Sequence, residues 1–185
     1  MAIKATIFKV DLQIADMERH YYADHSHTLA RHPSETDERM MVRLLAFSLH
    51  AHEHLMFGKG LSADDEPALW HKDLTGAIKL WIDVGLPAEK LIRKACGRAE
   101  QVVVYTYGGR TAQIWFEQNR GQFQRLDNLT IIDLPADGTR ALEALAQRNM
   151  RLQCTIQDGQ VWLSDGSQSV EVERTVLKVP HAFTR

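Results

Sequence analysis

Hydrophobic and polar positions alternate with a period of two through "KATIFKVDLQIAD", with Ala5, Ile7 and Lys9 on one face and Thr6, Phe8 and Val10 on the other. Strand side chains point alternately to opposite faces, so this β-branched stretch predicts a strand. "YYADHSHTLARHP" (residues 21–33) mixes its signals and reads largely as loop, with a short strand around Thr28–Arg31. "PSETDERMMVRLLAFSLHAHEHL" changes the period. Ser34 or Thr36 can cap a helix, carboxylates fill its first turn, and Met41, Leu44, Leu45 and Leu49 recur at helical spacing.

"ALWHKDLTGAIKLWIDVG" reads as two strands around a Thr75-Gly76 turn, with Ile78, Leu80, Ile82 and Val84 alternating against Ala77, Lys79, Trp81 and Asp83. Pro87 opens a helix whose stripe is Leu91, Ile92, Ala95 and Ala99. "QVVVYTY" is the apolar run of a centrally buried strand, followed by a helix from "GGRTAQIWFEQN", a buried strand "LTIIDLP" and a short helix "GTRALEALAQRN". The last third reads as an antiparallel meander, "MRLQCTIQ", "QVWLSD" and "SVEVERTVLKV", separated by the hairpin signals Asp158-Gly159 and Asp165-Gly166. This order predicts one mixed α/β domain over residues 1–185, with a core at about 34–149. The opening strand (about 2–16) should join the terminal meander (about 150–179) in an added antiparallel sheet.

Composition leaves this picture intact: 185 residues, 44% hydrophobic and 25% charged, suit one self-folding globular domain. A net charge of −2 provides no global field for nucleic acid, so binding of that kind needs a local basic patch. The two cysteines, Cys96 and Cys154, sit in apolar surroundings and suit reduced thiols. The opening residues lack a signal-peptide apolar stretch and no segment is long and apolar enough to cross a bilayer, so the expected location is the cytoplasm, with no membrane partner.

Chemistry concentrates at "LSADDEP", where Asp64, Asp65 and Glu66 stand in a row before Pro67. Helix, acidic hairpin, helix and strand is the arrangement used by divalent-cation phosphodiesterases of the PD-(D/E)xK class. Mg²⁺ takes hard oxygen ligands, so such a site needs carboxylates that converge. Pairing around Thr75-Gly76 gives partners whose residue numbers add to about 149–151, which places Glu66 opposite or diagonal to Asp83 at one end of the hairpin. An odd sum puts the two on the same face; an even one separates them. A solvated acidic turn accounts for the same residues without any metal. The strand lysine of a DxK triad would fall at position 85, which is Gly85.

Several long motifs resemble one family. "ARHPSETDERMMVRLLAF", "GLSADDEPALW", "LWIDVGLPAEKLIRKACGRA" and "TIQDGQVWLSD" are similar to the YaeQ family of small bacterial proteins, in order, from Ala2 to about Val179. The resemblance implies a variant of the PD-(D/E)xK nuclease core with an added β-sheet built from the two chain ends. It implicates Asp65 and Glu66 of "DDEP", Asp83 of "WIDVG" and Lys94 of "IRKACGRA", the lysine standing in for the missing strand lysine. Where the family often has an acidic residue after "DEP", this chain has Ala68.

Under this reading Asp65, Glu66 and Asp83 hold Mg²⁺ or Mn²⁺, and Lys94 orients water or balances charge on the phosphate. Glu38 on the first helix offers a further ligand and Gln113 a substrate contact; a dipole-favoured carboxylate and an exposed glutamine explain them equally. The function expected is a metal-dependent, nuclease-like action on a phosphodiester, with nucleic acid as partner. The alternative is a non-catalytic nucleic-acid- or protein-binding module that retains the nuclease fold.

The histidines pose a separate question. "HAHEH" would set His50 and His54 at i, i+4 on a helix with His52 between, and His25 and His27 could add imidazoles, a set suited to Zn²⁺ or Ni²⁺ or simply to a helix C-terminus. Gly108-Gly109 after a strand could cradle a phosphate or serve packing. Finally, like charges held together by Glu66 and Asp83 would make Asp83→Asn neutral or slightly stabilising in the metal-free protein.

Overall fold

The computed structural model of the chain describes residues 4–59, 61 and 65–181. Asp64 and residues 2–3 of the opening segment lie outside the described residues. The described chain forms a mixed α/β fold with two mixed sheets, arranged as two compact units. One comprises Met1–His50 with Asp137–Glu173, the other Ala51–Ala136 with Arg174–Arg185. No helix among the described residues is long and apolar enough to cross a membrane.

The first unit opens with β1 (Thr6–Asp16), β2 (Tyr21–Arg31) and α1 (Asp37–His50). Thr36 caps α1, its hydroxyl accepting the Arg39 N–H at 3.1 Å. The segment expected to be largely loop with a short strand at Thr28–Arg31 is one eleven-residue strand, β2, which contains that short strand and pairs antiparallel with β1 from Tyr21↔Asp16 to Arg31↔Thr6. Its alternation was hidden because, before the buried Leu29, the more enclosed positions are Tyr21, Ala23, His25 and His27, none of them a large aliphatic residue. The rings of His25 and His27 meet the edge of Phe47 on α1 at 5.0 and 4.4 Å.

The same unit ends with α4 (Ala136–Glu143), β8 (Asn149–Gln157), β9 (Gln160–Ser164) and β10 (Ser169–Glu171), in sheet order β10-β9-β8-β1-β2. The opening strand does pair with the meander, through β8. That pairing is parallel, so the sheet is mixed rather than antiparallel. Hairpins force antiparallel neighbours, whereas the long stretch between β1 and β8 leaves their direction unconstrained. Phe8, Val10, Leu12 and Ile14 form its buried row.

Beneath α1 sits an ion cluster. Glu35 accepts Arg43 Nε at 2.7 Å and a terminal Arg43 nitrogen at 2.8 Å, and Arg39 donates to it at 2.7 Å. Arg43 is 2% exposed, so the fork-to-fork pair is almost wholly out of water.

The second unit holds β3 (Leu55–Phe57), β4 (Leu69–Lys72), β5 (Ile78–Val84), α2 (Glu89–Cys96), β6 (Ala99–Thr106), α3 (Arg110–Phe123), β7 (Leu129–Asp133) and β11 (Thr175–Lys178). Its sheet order is β11-β7-β6-β5-β4-β3, with β5, β6 and β7 parallel. The apolar run becomes the central strand β6, buried from Val102 to Thr106. Trp81, Ile92, Ala95, Val102, Val104, Phe123, Leu129 and Ile131 make one core between sheet and helices. "SVEVERTVLKV" does not stay in the meander: it divides at residues 172–174, and β11 pairs antiparallel with β7. Lys178 is anchored there by three carbonyls, of Leu126, Leu129 and Val179, at 2.8, 3.0 and 3.1 Å.

Two outcomes follow. Glu35→Leu strands the Arg43 charge and should lower stability by about 3–5 kcal/mol, while the double change Glu35→Leu with Arg43→Met should lose clearly less. Urea midpoints of wild type, single and double variants check this; equal losses would refute the pair's role. Burial holds His25 and His27 below the usual imidazole pKa. Their neutral forms therefore leave stability intact above about pH 6.5, and stability falls as the unfolded state takes up protons below it. Replacing both by Gln should flatten the stability profile between neutral pH and about pH 5.

Candidate functional site

β4 and β5 enter the site in a fixed register: Leu69↔Ile82, Trp70↔Trp81 and His71↔Leu80. Continued by one residue this is the odd register, which sets Ala68 beside Asp83, and the Ala68 N–H donates to Asp83 Oδ1 at 3.3 Å. Trp81 lies two residues before Asp83 on the same face, and its indole Nε1 donates to Asp83 Oδ2 at 2.8 Å. Asp83 is half-buried and Trp81 buried. Both oxygens of the carboxylate are thus positioned by donors from the hairpin itself.

Glu66 is turned toward the end of β3. Its Oε2 accepts the Lys59 N–H at 3.1 Å, and Oε1 lies 3.6 Å from Lys59 Nζ. The segments approach closely because Gly58 donates its N–H to Ala68 O at 2.9 Å, and a Cβ on Gly58 would stand 2.0 Å from Pro67 O. Only glycine fits there without moving backbone. Sequence reading missed Gly58 and Lys59 because β3 is three residues long and carries no periodicity.

Asp65 meets α2. Lys94 Nζ donates to Asp65 Oδ1 at 2.6 Å, and Arg98 donates to the Asp65 carbonyl at 3.1 Å. The Lys94 hydrogen bond, then its charge, holds the exposed Asp65 carboxyl below its usual range. One turn on, the Arg98 guanidinium lies 5.1 Å from the Trp81 ring centroid. Lys94 and Arg98, four residues apart, reach the same segment. Arg98 was not foreseen; its spacing from Lys94 was the available signal.

The remaining candidates fall elsewhere. Glu38 accepts the Thr139 hydroxyl at 2.6 Å within the first unit. Gln113 is exposed in the first turn of α3, its N–H bonded to Gly109 O. At the end of β6 and β7, Thr106 donates to Asp133 Oδ1 at 2.7 Å, and burial raises the Asp133 carboxyl pKa. Gly109 caps α3 without a side chain. His50 ends α1, so the expected helical i, i+4 pair with His54 does not form; the Leu55 N–H closes a turn on His52 O instead. His52 and His54 meet His71 of β4, and burial followed by the nearby His52 and His54 lowers the His71 pKa.

Chemically, the segment before β4 and the end of β5 carry three carboxylates, Asp65, Glu66 and Asp83, and three long cations, Lys59, Lys94 and Arg98, reach that segment. Among the described residues no three His, Cys, Asp or Glu side chains already surround a common point. A hard cation such as Mg²⁺ fits a sparser set, since it keeps several waters and takes one or two carboxylates. Each carboxylate oxygen has more than one acceptor position, so the hydrogen bonds to Glu66 and Asp83 do not exhaust their acceptor capacity.

The family model described as YaeQ protein matches residues 1–174. The chain is 48% identical over 180 residues to the uncharacterized protein YaeQ of Escherichia coli (strain K12), covering 97% of this chain and 99% of that one. Its counterpart from Salmonella typhi is 46% identical over the same shares. Among solved structures, the crystal structure of YaeQ protein from Xanthomonas axonopodis pv. citri superposes with a TM-score of 0.91 at 50% identity, covering 95% of this chain and 99% of that one. The Pseudomonas syringae YaeQ structure gives 0.91 at 34% identity, with 96% and 98% covered.

The hydrogen bonds to Asp83 reverse the expected sign of its substitution. An asparagine offers one acceptor where the carboxylate offers two, so either the Trp81 indole or the Ala68 amide loses its partner. Asp83→Asn should therefore destabilise the metal-free protein by about 1–2 kcal/mol. Chemical denaturation in a chelating buffer measures it, and unchanged stability would show these bonds to be unimportant.

Proposed function

The chain belongs to the YaeQ family, and for this member we propose a Mg²⁺- or Mn²⁺-dependent, nuclease-like action on a phosphodiester at the end of the β4–β5 hairpin. The observation that carries the proposal is the odd register, which sets the Glu66–Ala68 segment against Asp83 while Asp65 draws in Lys94 and Arg98. The path of the chain, antiparallel hairpin, helix α2 and then a parallel strand, supports a PD-(D/E)xK-like core.

Gly85 explains the departure from the usual lysine. Its φ is +96°, in the region that side-chain-bearing residues rarely adopt. A lysine at that position would be strained, so the cation comes from α2 as Lys94. When bound, the cation would supply Lewis-acid polarisation of the phosphate and a lower pKa for water. Glu66 and Asp83 would hold it. Lys94 would leave Asp65 to meet a phosphate oxygen, an exchange made easy by the exposure of the Lys94–Asp65 pair. Arg98 would keep Asp65 and its segment in place.

The alternative, a nucleic-acid- or protein-binding module without catalysis, draws support from the two donors already engaging Asp83. The two readings separate on measurement. With Mn²⁺ at a hundredfold excess over its Kd, mass action contributes about 2.7 kcal/mol, a rise of roughly 5–10 °C in melting temperature. Glu66→Gln and Asp83→Asn should each remove that rise, and both should lose Mn²⁺-dependent cleavage of labelled single- and double-stranded oligonucleotides. A metal-induced rise that survives both substitutions would exclude these carboxylates as ligands; oligonucleotide binding without cleavage would establish the module instead.

A further inference from the structure

The histidine cluster of the second unit is unused by the proposed phosphodiester chemistry. His52 and His54 come from the turn before β3, and His71 comes from β4, which pairs with β3 through Leu55↔His71. Their ring centroids are 4.4 Å (His52 to His71), 5.5 Å (His52 to His54) and 6.0 Å (His54 to His71) apart. Three imidazoles on one tetrahedral Zn²⁺, each with a Zn–N bond of about 2.0–2.1 Å, place their centroids roughly 5 Å from one another. The observed spacings bracket that value. We propose that His52, His54 and His71 form a three-imidazole site for a divalent transition metal of the Zn²⁺ class.

The rings stand at the right separation but do not yet converge, since among the described residues no three such side chains surround a common point; the nitrogens have to turn inward. His52 and His71 are stacked at 30°, so their lone pairs are not yet aimed at one point. His52 and His54 are exposed and His71 partly so, which leaves their χ angles free to turn without repacking the core. His52 Nδ1 accepts the His54 N–H at 3.1 Å, and binding exchanges that bond for a metal bond, at Nδ1 or at Nε2 once the proton moves across. Glu53 lies 3.4 Å from His54 Nε2 and can hold that ring's proton-bearing nitrogen, as carboxylates do for metal-bound histidines.

The neighbouring charges are balanced. Lys79 and Asp73 both act on His71, and Lys79 is itself bound to Asp73 and Glu100. Imidazole nitrogens select Zn²⁺, Ni²⁺ or Cu²⁺ over Mg²⁺, so this site and the carboxylate end would take different ions. The inference therefore stands independently of the proposed phosphodiester activity.

Co²⁺ titration of the full chain tests it, because tetrahedral Co²⁺ absorbs visible light far more strongly than the hydrated ion. One equivalent should bring up intense bands, and Zn²⁺ should bleach them. His52→Gln and His71→Gln should each weaken Zn²⁺ binding at least tenfold, whereas His181→Gln and Asp83→Asn should leave it unchanged. His52 is exposed, so its variant keeps the test decisive even where His71→Gln disturbs the hairpin. Absent bands, an equal loss in His181→Gln, or Zn²⁺ binding that disappears with Asp83→Asn but persists in His52→Gln would each overturn the site.

Discussion

Side chains on a strand alternate with a period of two, so a one-residue slip of β4 against β5 would move Asp83 to the other side from Ala68 and leave its carboxylate without that amide. The register on which this depends is set locally. Next to the turn, Lys72 pairs with Ile78; a bulge between His71 and Lys72 then shifts the pairing, giving His71↔Leu80, Trp70↔Trp81 and Leu69↔Ile82. The turn is held by Asp73, whose Oδ1 accepts the Thr75 N–H, the Thr75 hydroxyl and the Ala77 N–H. Beyond the bulge, Trp70 and Trp81 lock the strands edge to face at 5.9 Å. One extra residue near the turn thus decides which side chains share a face at the far end.

Much of this was legible in the chain and some was not, for identifiable reasons. Aliphatic periodicity located β1, α1, β5, β6 and the β8–β9 hairpin, because burial of Val, Ile and Leu leaves a direct trace. Only the Thr28–Arg31 end of β2 was legible, because the enclosed row before Leu29 is Tyr, Ala and His, residues that a period count does not score as core. The split between β10 and β11 escaped for a different reason: "SVEVERTVLKV" reads as one β-rich run, and its division at residues 172–174 follows from sheet partners far away in sequence. The direction of β1 against β8 was likewise a matter of partners rather than pattern.

At the candidate site the hairpin has the odd register, with Ala68 beside Asp83, but spacing does not say where the carboxylate oxygens point. That depends on donors no motif contains: the Trp81 indole, the Ala68 and Lys59 amides, and the Lys94 ammonium across from Asp65. The expectation of stored like-charge strain took no account of these bonds. Repulsion between carboxylates matters only as far as their charge is left unmatched, and both Glu66 and Asp83 accept hydrogen bonds from the protein.

These bonds divide the site into two kinds of parts. Asp83 is half-buried and met by a buried indole, so its position is held by interactions that water does not readily replace. Asp65 and Lys94 are exposed, and their attraction competes with solvent, salt and any incoming anion. Glu66, with 22% of its side chain exposed, stands between these extremes. In the proposed reading the fixed carboxylate would help hold a cation, while the exchangeable pair would release Lys94 to meet a phosphate oxygen. An exposed Lys–Asp pair contributes little to stability, so what distinguishes the two parts is how readily each gives up its partner: Lys94 to solvent, salt or an anion, Asp83 only with the loss of the Trp81 indole and the Ala68 amide.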